Sequence, residues 1–206
     1  FSIIIPTLNN IDYLKLCIYS LKKNSSFKNE IIPHVNIGSD GTIDFLKKEK
    51  IKFTYTNYNA GICKGMNLAA KKSINNYILY AHDDFYFCPL WDDILFKEVK
   101  SISHNKFYLS GTMMNNGQIN FDCGNSIKNF NEKKFLNEYK NYNFYDFQGS
   151  TWAPHLIHKD IWNSVGGFSE EFFPGTGSDP DLNMKLWNSG VRIFKGINDF
   201  KVYHFG

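Results

Sequence analysis

The chain has 206 residues, 43% of them hydrophobic and 21% charged, which suits one α/β domain with a sizeable core. A net charge of +3 is too weak to argue for nucleic acid or a charged membrane surface as partner. Cys17, Cys63, Cys88 and Cys123 lack paired short spacing, which argues against a zinc site and a disulfide framework and favours a reducing, cytoplasmic compartment.

Residues 1–6 open with Ile3, Ile4 and Ile5 in a row, an unalternating pattern that predicts a strand buried on both faces. Asn10 is placed to cap a helix carrying Ile11, Leu14, Ile18 and Leu21 on one face. A second strand over residues 34–38 ends at Ser39-Asp40-Gly41-Thr42. A short helix around Phe45 and Leu46, a strand over 51–56, and the turn Asn57-Tyr58-Asn59-Ala60-Gly61 follow. A helix through Met66, Ala69 and Ala70 leads to the strand 77–81. Four strands separated by helices imply a parallel sheet with right-handed crossovers, in which ligands bind at the carboxyl ends. Asn9, Asp40, Asn59 and Asp84 all fall at such ends.

Downstream, residues 90–103 read as a helix. Segments 107–114 and 118–123 read as strands around an Asn-Asn-Gly turn, and the Lys/Asn-rich stretch 125–143 reads as a mobile surface segment. No run approaches the length of a membrane span, and no signal peptide precedes the first strand. Phe1 already reads as mid-strand, so flanks beyond the chain are expected, and any attachment to the inner face of a membrane would run through them. Aromatic residues reach 17%, a surplus that would suit sugar or base stacking if some line a cleft.

The densest chemistry lies in Tyr80-Ala81-His82-Asp83-Asp84-Phe85. Adjacent carboxylates at a strand end raise the cost of ionising each other. A divalent cation removes that cost, and hard cations choose carboxylate oxygens. Such a cation can also neutralise the phosphates of a nucleotide leaving group. The bland alternative is a polar cap after a buried strand.

The motifs taken in order resemble family 2 glycosyltransferases of the GT-A fold. Residues Phe1-Ser2-Ile3-Ile4-Ile5-Pro6-Thr7-Leu8-Asn9 look like the family's opening strand. Ser39-Asp40-Gly41-Thr42-Ile43-Asp44 is similar to its Asp-Asp-Gly-Ser segment, and Asn59-Ala60-Gly61-Ile62-Cys63-Lys64-Gly65-Met66-Asn67 to its Asn-x-Gly segment. His82-Asp83-Asp84 stands at its acidic motif. Val165-Gly166-Gly167-Phe168-Ser169-Glu170-Glu171-Phe172 and Gly177-Ser178-Asp179-Pro180-Asp181-Leu182 resemble the stretch leading to its catalytic acid. Each motif alone is weak, and their order carries the resemblance. His82, Ser39 and Ser178 depart from the family's usual acidic residues.

The resemblance implies a single α/β, GT-A (Rossmann-like) domain with a mostly parallel central sheet flanked by helices. Residues 1–105 would be the nucleotide-binding half and 106–206 the acceptor and catalytic half. It further implies inverting, metal-dependent transfer from a nucleotide-sugar donor to a glycan or lipid-linked acceptor, as in polysaccharide biosynthesis. Thr7, Asn9, Asp40, Gly61, Lys64 and Asp83 would meet the nucleotide, Asp83 through its ribose. Asp40 could accept the ring N–H of uracil or thymine, favouring UDP- or dTDP-linked donors; its alternative is a turn aspartate. Lys64 could instead be a solvated lysine, and Asn67 could buttress the loop from its helix. Asp84 and His204 would hold Mn²⁺ or Mg²⁺, imidazole favouring Mn²⁺. Trp152, His155 and Asp181 fall where relatives meet donor sugar or acceptor, with core packing the alternative for Trp152.

Asp179 would be the general base, deprotonating the acceptor hydroxyl. Asp179-Pro180 also looks like a helix start, with the aspartate as cap. Residues 173–177 before it could close over bound donor. Two rivals remain. A sugar nucleotidyltransferase would carry a Gly-rich phosphate loop, which Pro6-Thr7-Leu8-Asn9-Asn10 lacks. A non-catalytic binding relic need not keep Asp40, Asp84 and Asp179 together.

Overall fold

The computed structural model describes residues 1–148 and 153–206. Ile3, Ile4 and Ile5 are wholly buried in β1 (Ser2–Leu8), as an unalternating apolar strand must be when both faces are covered. α1 (Ile11–Lys23) buries Leu14, Cys17, Ile18 and Leu21 against the sheet. β2 (Glu30–Asn36), α2 (Thr42–Lys48), β3 (Thr54–Thr56), α3 (Gly61–Ala70) and β4 (Tyr77–Tyr80) continue the alternation. β1 lies between β2 and β4, and β3 pairs with the outer edge of β2, all four parallel. The chain thus winds outward from β1 to β3 and then crosses back to β4. That reversal opens a crevice between the carboxyl ends of β1 and β4.

The second half comprises β5 (Phe85–Phe87), α4 (Trp91–Ser101), β6 (Phe107–Met114), α5 (Glu132–Glu138), β7 (Phe147–Gln148), β8 (His155–His158), α6 (Lys159–Ser164), α7 (Ser178–Asn188) and β9 (Ile193–His204). The full sheet runs β3-β2-β1-β4-β8-β6-β9-β5, with β7 also on β9. β8 is antiparallel to β4 and β6, β9 is parallel to β6, and β5 and β7 are antiparallel to β9. The sheet is therefore parallel through its first four strands and mixed thereafter.

Three expectations are corrected here. Residues 118–123 form no strand beyond a single Met114–Ile119 bridge, because the Met113 N–H goes to the Gln118 side chain and the Cys123 N–H to the Tyr203 hydroxyl instead of to a ladder. The stretch 125–143 is ordered around α5, whose cap Asn131 accepts the Lys134 N–H at 2.9 Å. Phe135 and Tyr139 from it are buried in a second apolar cluster with Tyr86, Phe121, Tyr203 and Phe205, so its aromatic residues outweigh its lysines and asparagines. Asn10 stands at the start of α1 but makes no side-chain cap there. The Ile11 N–H goes to Asp40 instead, at 2.8 Å.

Candidate active site

A cleft of about 500 Å³ opens at the β1/β4 crevice, a size suited to a small organic ligand. Thr7, Asn9 and Asn10 enter it from the end of β1, Asn36 from the end of β2, and His82, Asp83 and Asp84 from the end of β4. Asn59 and Gly61 line it at the start of α3, and Pro174, Gly175 and Thr176 close the far side. Gly61 has φ 77°, and a Cβ there would stand 3.0 Å from the Phe173 ring, so both the turn and the close approach require glycine. The next residue, Ile62, donates its N–H to the Pro174 carbonyl at 2.8 Å, tying the loop to the first turn of α3.

The two adjacent aspartates have different environments. Burial pushes Asp83 up to about 7, with the neighbouring Asp84 charge adding to the rise and the polar side chains of Thr7 and Asn10 nearby opposing it. Burial would raise Asp84 too, but its contact with His204 outweighs that and holds its carboxyl below the ordinary range. His204 Nε2 lies 3.4 Å from Asp84 Oδ2. Burial alone would lower His204, yet Asp84 raises it overall. His204 Nδ1 is 2.8 Å from the Asn116 carbonyl. Donation to that carbonyl leaves Nε2 as the nitrogen facing Asp84. His82 is half-buried and held down to about 4 by desolvation, so its ring is neutral at pH 7. One ring nitrogen each of His82 and His204 and one oxygen of Asp84 lie within 4.8 Å of one another. This donor set fits a divalent cation.

Asp179 lies in the first turn of α7, one residue past the helix start, and the helix is capped by Gly177 at φ 87°. The aspartate is therefore not the capping residue. Its Oδ1 accepts no hydrogen bond among the described residues and stands 3.9 Å from His155 Nδ1. Burial pushes its carboxyl up to about 6, against the pull of His82.

The remaining residues singled out in the sequence are dispersed. Asp40 lies beyond the end of β2 and outside the cleft lining. Its carboxylate accepts the Ile11 N–H, and the Thr42 N–H and hydroxyl at 3.1 and 2.7 Å. Asn9 adopts φ 48° and accepts the Ser39 N–H at 2.9 Å, bracing the same turn. Lys64 lies over the Tyr58 ring rather than in the cleft lining. Asp181 accepts the Ser169 hydroxyl at 2.6 Å and is also outside the lining. His155 is 2% exposed, packed against Tyr108 and Tyr80 beneath Asp179. Trp152 lies outside the described residues. Asn67 clasps Phe168 from α3, its amide donating to the Phe168 carbonyl at 2.8 Å and accepting that residue's N–H at 3.0 Å.

Sequence reasoning missed Asn36 and the ligand geometry of His82. Asn36 is 3% exposed, and its Oδ1 accepts the Ala60 N–H at 2.8 Å. β2 ends at Asn36, two residues short of the strand expected over 34–38, and this puts Asn36 at the strand end. His82 lies past the end of β4, where strand alternation does not fix the direction of its ring, so no sequence signal marked it.

A doubly wound parallel half with an acidic pair at its switch point defines an α/β fold of the GT-A type. Glycosyl transferase family 2 matches residues 2–153, and the chain belongs to that family. No curated protein sequence matches it. Among solved structures it is similar to TarS of S. aureus, at 18% identity and a TM-score of 0.74, covering 99% of this chain and 36% of TarS. It is also similar to TarS 1–349 in complex with UDP (18% identity, TM-score 0.72, 98% of this chain and 59% of that one). The same holds for TarS 1–349 in complex with UDP-GlcNAc (17% identity, TM-score 0.68, 98% and 57%). At such identity the likeness establishes the fold, and the chain spans 36–59% of the length of these structures. No helix among the described residues is long and apolar enough to cross a membrane.

Proposed function

We propose that the chain carries out inverting transfer of a sugar from a nucleotide-sugar donor, UDP- or dTDP-linked, to a glycan or lipid-linked acceptor. Residues 1–105 hold the donor, and 106–206 supply the base and face the acceptor. The observation that carries this reading is the convergence of Asp84 and His204 at the mouth of the switch-point cleft that Asp83, Thr7 and Asn36 line. The complexes of TarS with UDP and UDP-GlcNAc support the donor class.

Asp83 is placed to meet the ribose, and the amides of Asn10, Asn36 and Asn59 to meet the rest of the nucleoside. Asp84 and His204 would hold a divalent cation, Mn²⁺ or Mg²⁺, which when bound neutralises charge on the leaving diphosphate. Asp179 takes the proton from the attacking acceptor hydroxyl. A carboxyl held near 6 is mostly ionised at pH 7 yet basic enough to accept that proton. His155 lies behind it, its Nδ1 3.9 Å from the carboxylate.

Incubation with a panel of nucleotide sugars, with and without Mn²⁺, tests the reading. Release of free nucleoside diphosphate dependent on Asp179 is the expected result. Release of pyrophosphate would indicate nucleotidyl transfer, and binding without turnover would indicate a donor-binding domain.

A further inference from the structure

We infer that His82 is a third protein ligand of the cation, so that the site is a two-histidine, one-carboxylate centre selecting nitrogen-accepting transition ions over Mg²⁺. This rests on the reading that Asp84 and His204 hold a cation at all, and goes beyond it in ligand count and ion choice.

Three features carry it. The first is distance, since the ligand atoms of His82, Asp84 and His204 lie within 4.8 Å of one another. An ion bound by all three at about 2.0–2.2 Å from each needs its donors no farther apart than roughly twice that length, so only a small inward adjustment is required.

The second is orientation. Ligating histidines as a rule anchor their other ring nitrogen to the protein, which fixes tautomer and ring plane. Both histidines have such an anchor. His204 Nδ1 meets the Asn116 carbonyl at 2.8 Å, and His82 Nε2 meets the Tyr80 hydroxyl at 2.8 Å. When Nε2–H donates to the Tyr80 oxygen, His82 Nδ1 carries the free lone pair. Stacking on Phe85 at 5.0 Å and 16° holds the ring in place.

The third is position. His82 lines the cleft although most of its ring is buried among Tyr80, Phe85 and His204. Mg²⁺ demands oxygen donors and gives up water reluctantly. Two imidazoles and one carboxylate instead suit Co²⁺, Fe²⁺ or Zn²⁺, with Mn²⁺ the weakest of the transition ions.

The experiment uses the whole chain with UDP and two probes. Spin-echo spectroscopy of bound Mn²⁺ counts directly bonded ¹⁴N, and calorimetry compares Co²⁺ with Mg²⁺. Two bonded nitrogens are expected in the unmodified protein and one in His82→Asn. That variant should lose about 10–100-fold in Co²⁺ affinity, at least the scale seen when a supporting partner of a ligand is lost, with Mg²⁺ affinity unchanged. Should His82→Asn fail to fold, His204→Gln should still retain one bonded nitrogen, that of His82. A single nitrogen in the unmodified protein, or none in His204→Gln, would overturn the inference while leaving Asp84 and His204 as the cation site. No bound Mn²⁺, or binding indifferent to Asp84→Asn, would overturn the inference and the underlying reading together.

Discussion

The parallel and mixed halves of the sheet meet at one cleft but position their side chains by different means. In the parallel half, Thr7, Asn36 and Asp83 sit at or just past strand ends, fixed by the register of β1 against β2 and β4. In the mixed half, Asp179 follows a long connection from α6, and His204 ends a strand that joins three partners. Their placement depends on long-range ties. Asn67 clasps Phe168, Ile62 holds Pro174, and Lys185 Nζ donates to the Gly167 carbonyl at 2.7 Å. Strand ends make a rigid platform, whereas Asp179 and His204 arrive on elements whose positions distant residues must hold. Substitutions in the two halves should therefore fail in different ways.

The largest effect is expected at the proposed base. Asp179→Asn should lower transfer by roughly 10²–10⁴-fold, the usual contribution of a positioned general base, with nucleotide and cation affinity nearly intact. Steady-state rates combined with calorimetry check this. Near-normal transfer by the folded variant would reduce Asp179 to a residue of the first helical turn.

Asp84→Asn should weaken cation binding by at least about 10–100-fold, the scale for losing even an outer partner of a ligand. This variant should also melt somewhat lower, since the carboxylate contacts His204 and accepts the Gly206 N–H at 3.1 Å. Calorimetric titration with Mn²⁺ reads the first quantity and circular dichroism the second.

Asp179 also sets a pH dependence. Its carboxyl, pushed up to about 6 by burial, must be ionised to accept a proton. Transfer should therefore be full above that value and fall as pH drops through it, approaching about tenfold per unit once the group is mostly protonated. The titratable groups around it include His82, His155, Tyr80, Tyr108 and Cys63. In Asp179→Asn the residual rate should lose this acid limb, and a limb that persists there belongs to another group.

The long-range clasp predicts a stability effect. Asn67→Ala leaves the Phe168 N–H and carbonyl without their buried partner and should cost about 1–3 kcal/mol, read by urea denaturation. Transfer should fall with it, because residues 166–177 lead to the base.

Asp40→Ala gives the smallest effect and separates two readings of one residue. Loss of the bond to Ile11 N–H at the start of α1 should cost about 0.5–2 kcal/mol, with little change in UDP affinity. Unchanged stability with a tenfold loss of UDP affinity would return Asp40 to the base-reading role that its sequence position suggests.

Much of the parallel half was legible because its signals are local. An unalternating isoleucine run, helical spacing and turn residues sufficed to find β1 to β4 and to put Asp83 and Asp84 at a strand end. What misled was the length of β2. Its end at Asn36 gives the cleft an amide and leaves Asp40 to brace two backbone turns. In the mixed half α4 was visible over residues 90–103, and the start of α7 from Asp179-Pro180. The burial of Phe135 and Tyr139 was not, because it depends on Tyr203 and Phe205 far along the chain. His155 had the same difficulty. Nothing within Ala153-Pro154-His155 says that the ring packs between Tyr80 and Tyr108 under Asp179. Residues tied to their neighbours could be read, and residues tied across the sheet could not.

The most direct test of the account is the anomeric configuration of the product, followed by proton NMR from the first turnover with a turned-over donor of known configuration. A platform that holds the donor and a single carboxylate that deprotonates the acceptor predict one displacement and an inverted product. A product with retained configuration would require a second nucleophile in the cleft and would contradict the assignment of Asp179 as the base.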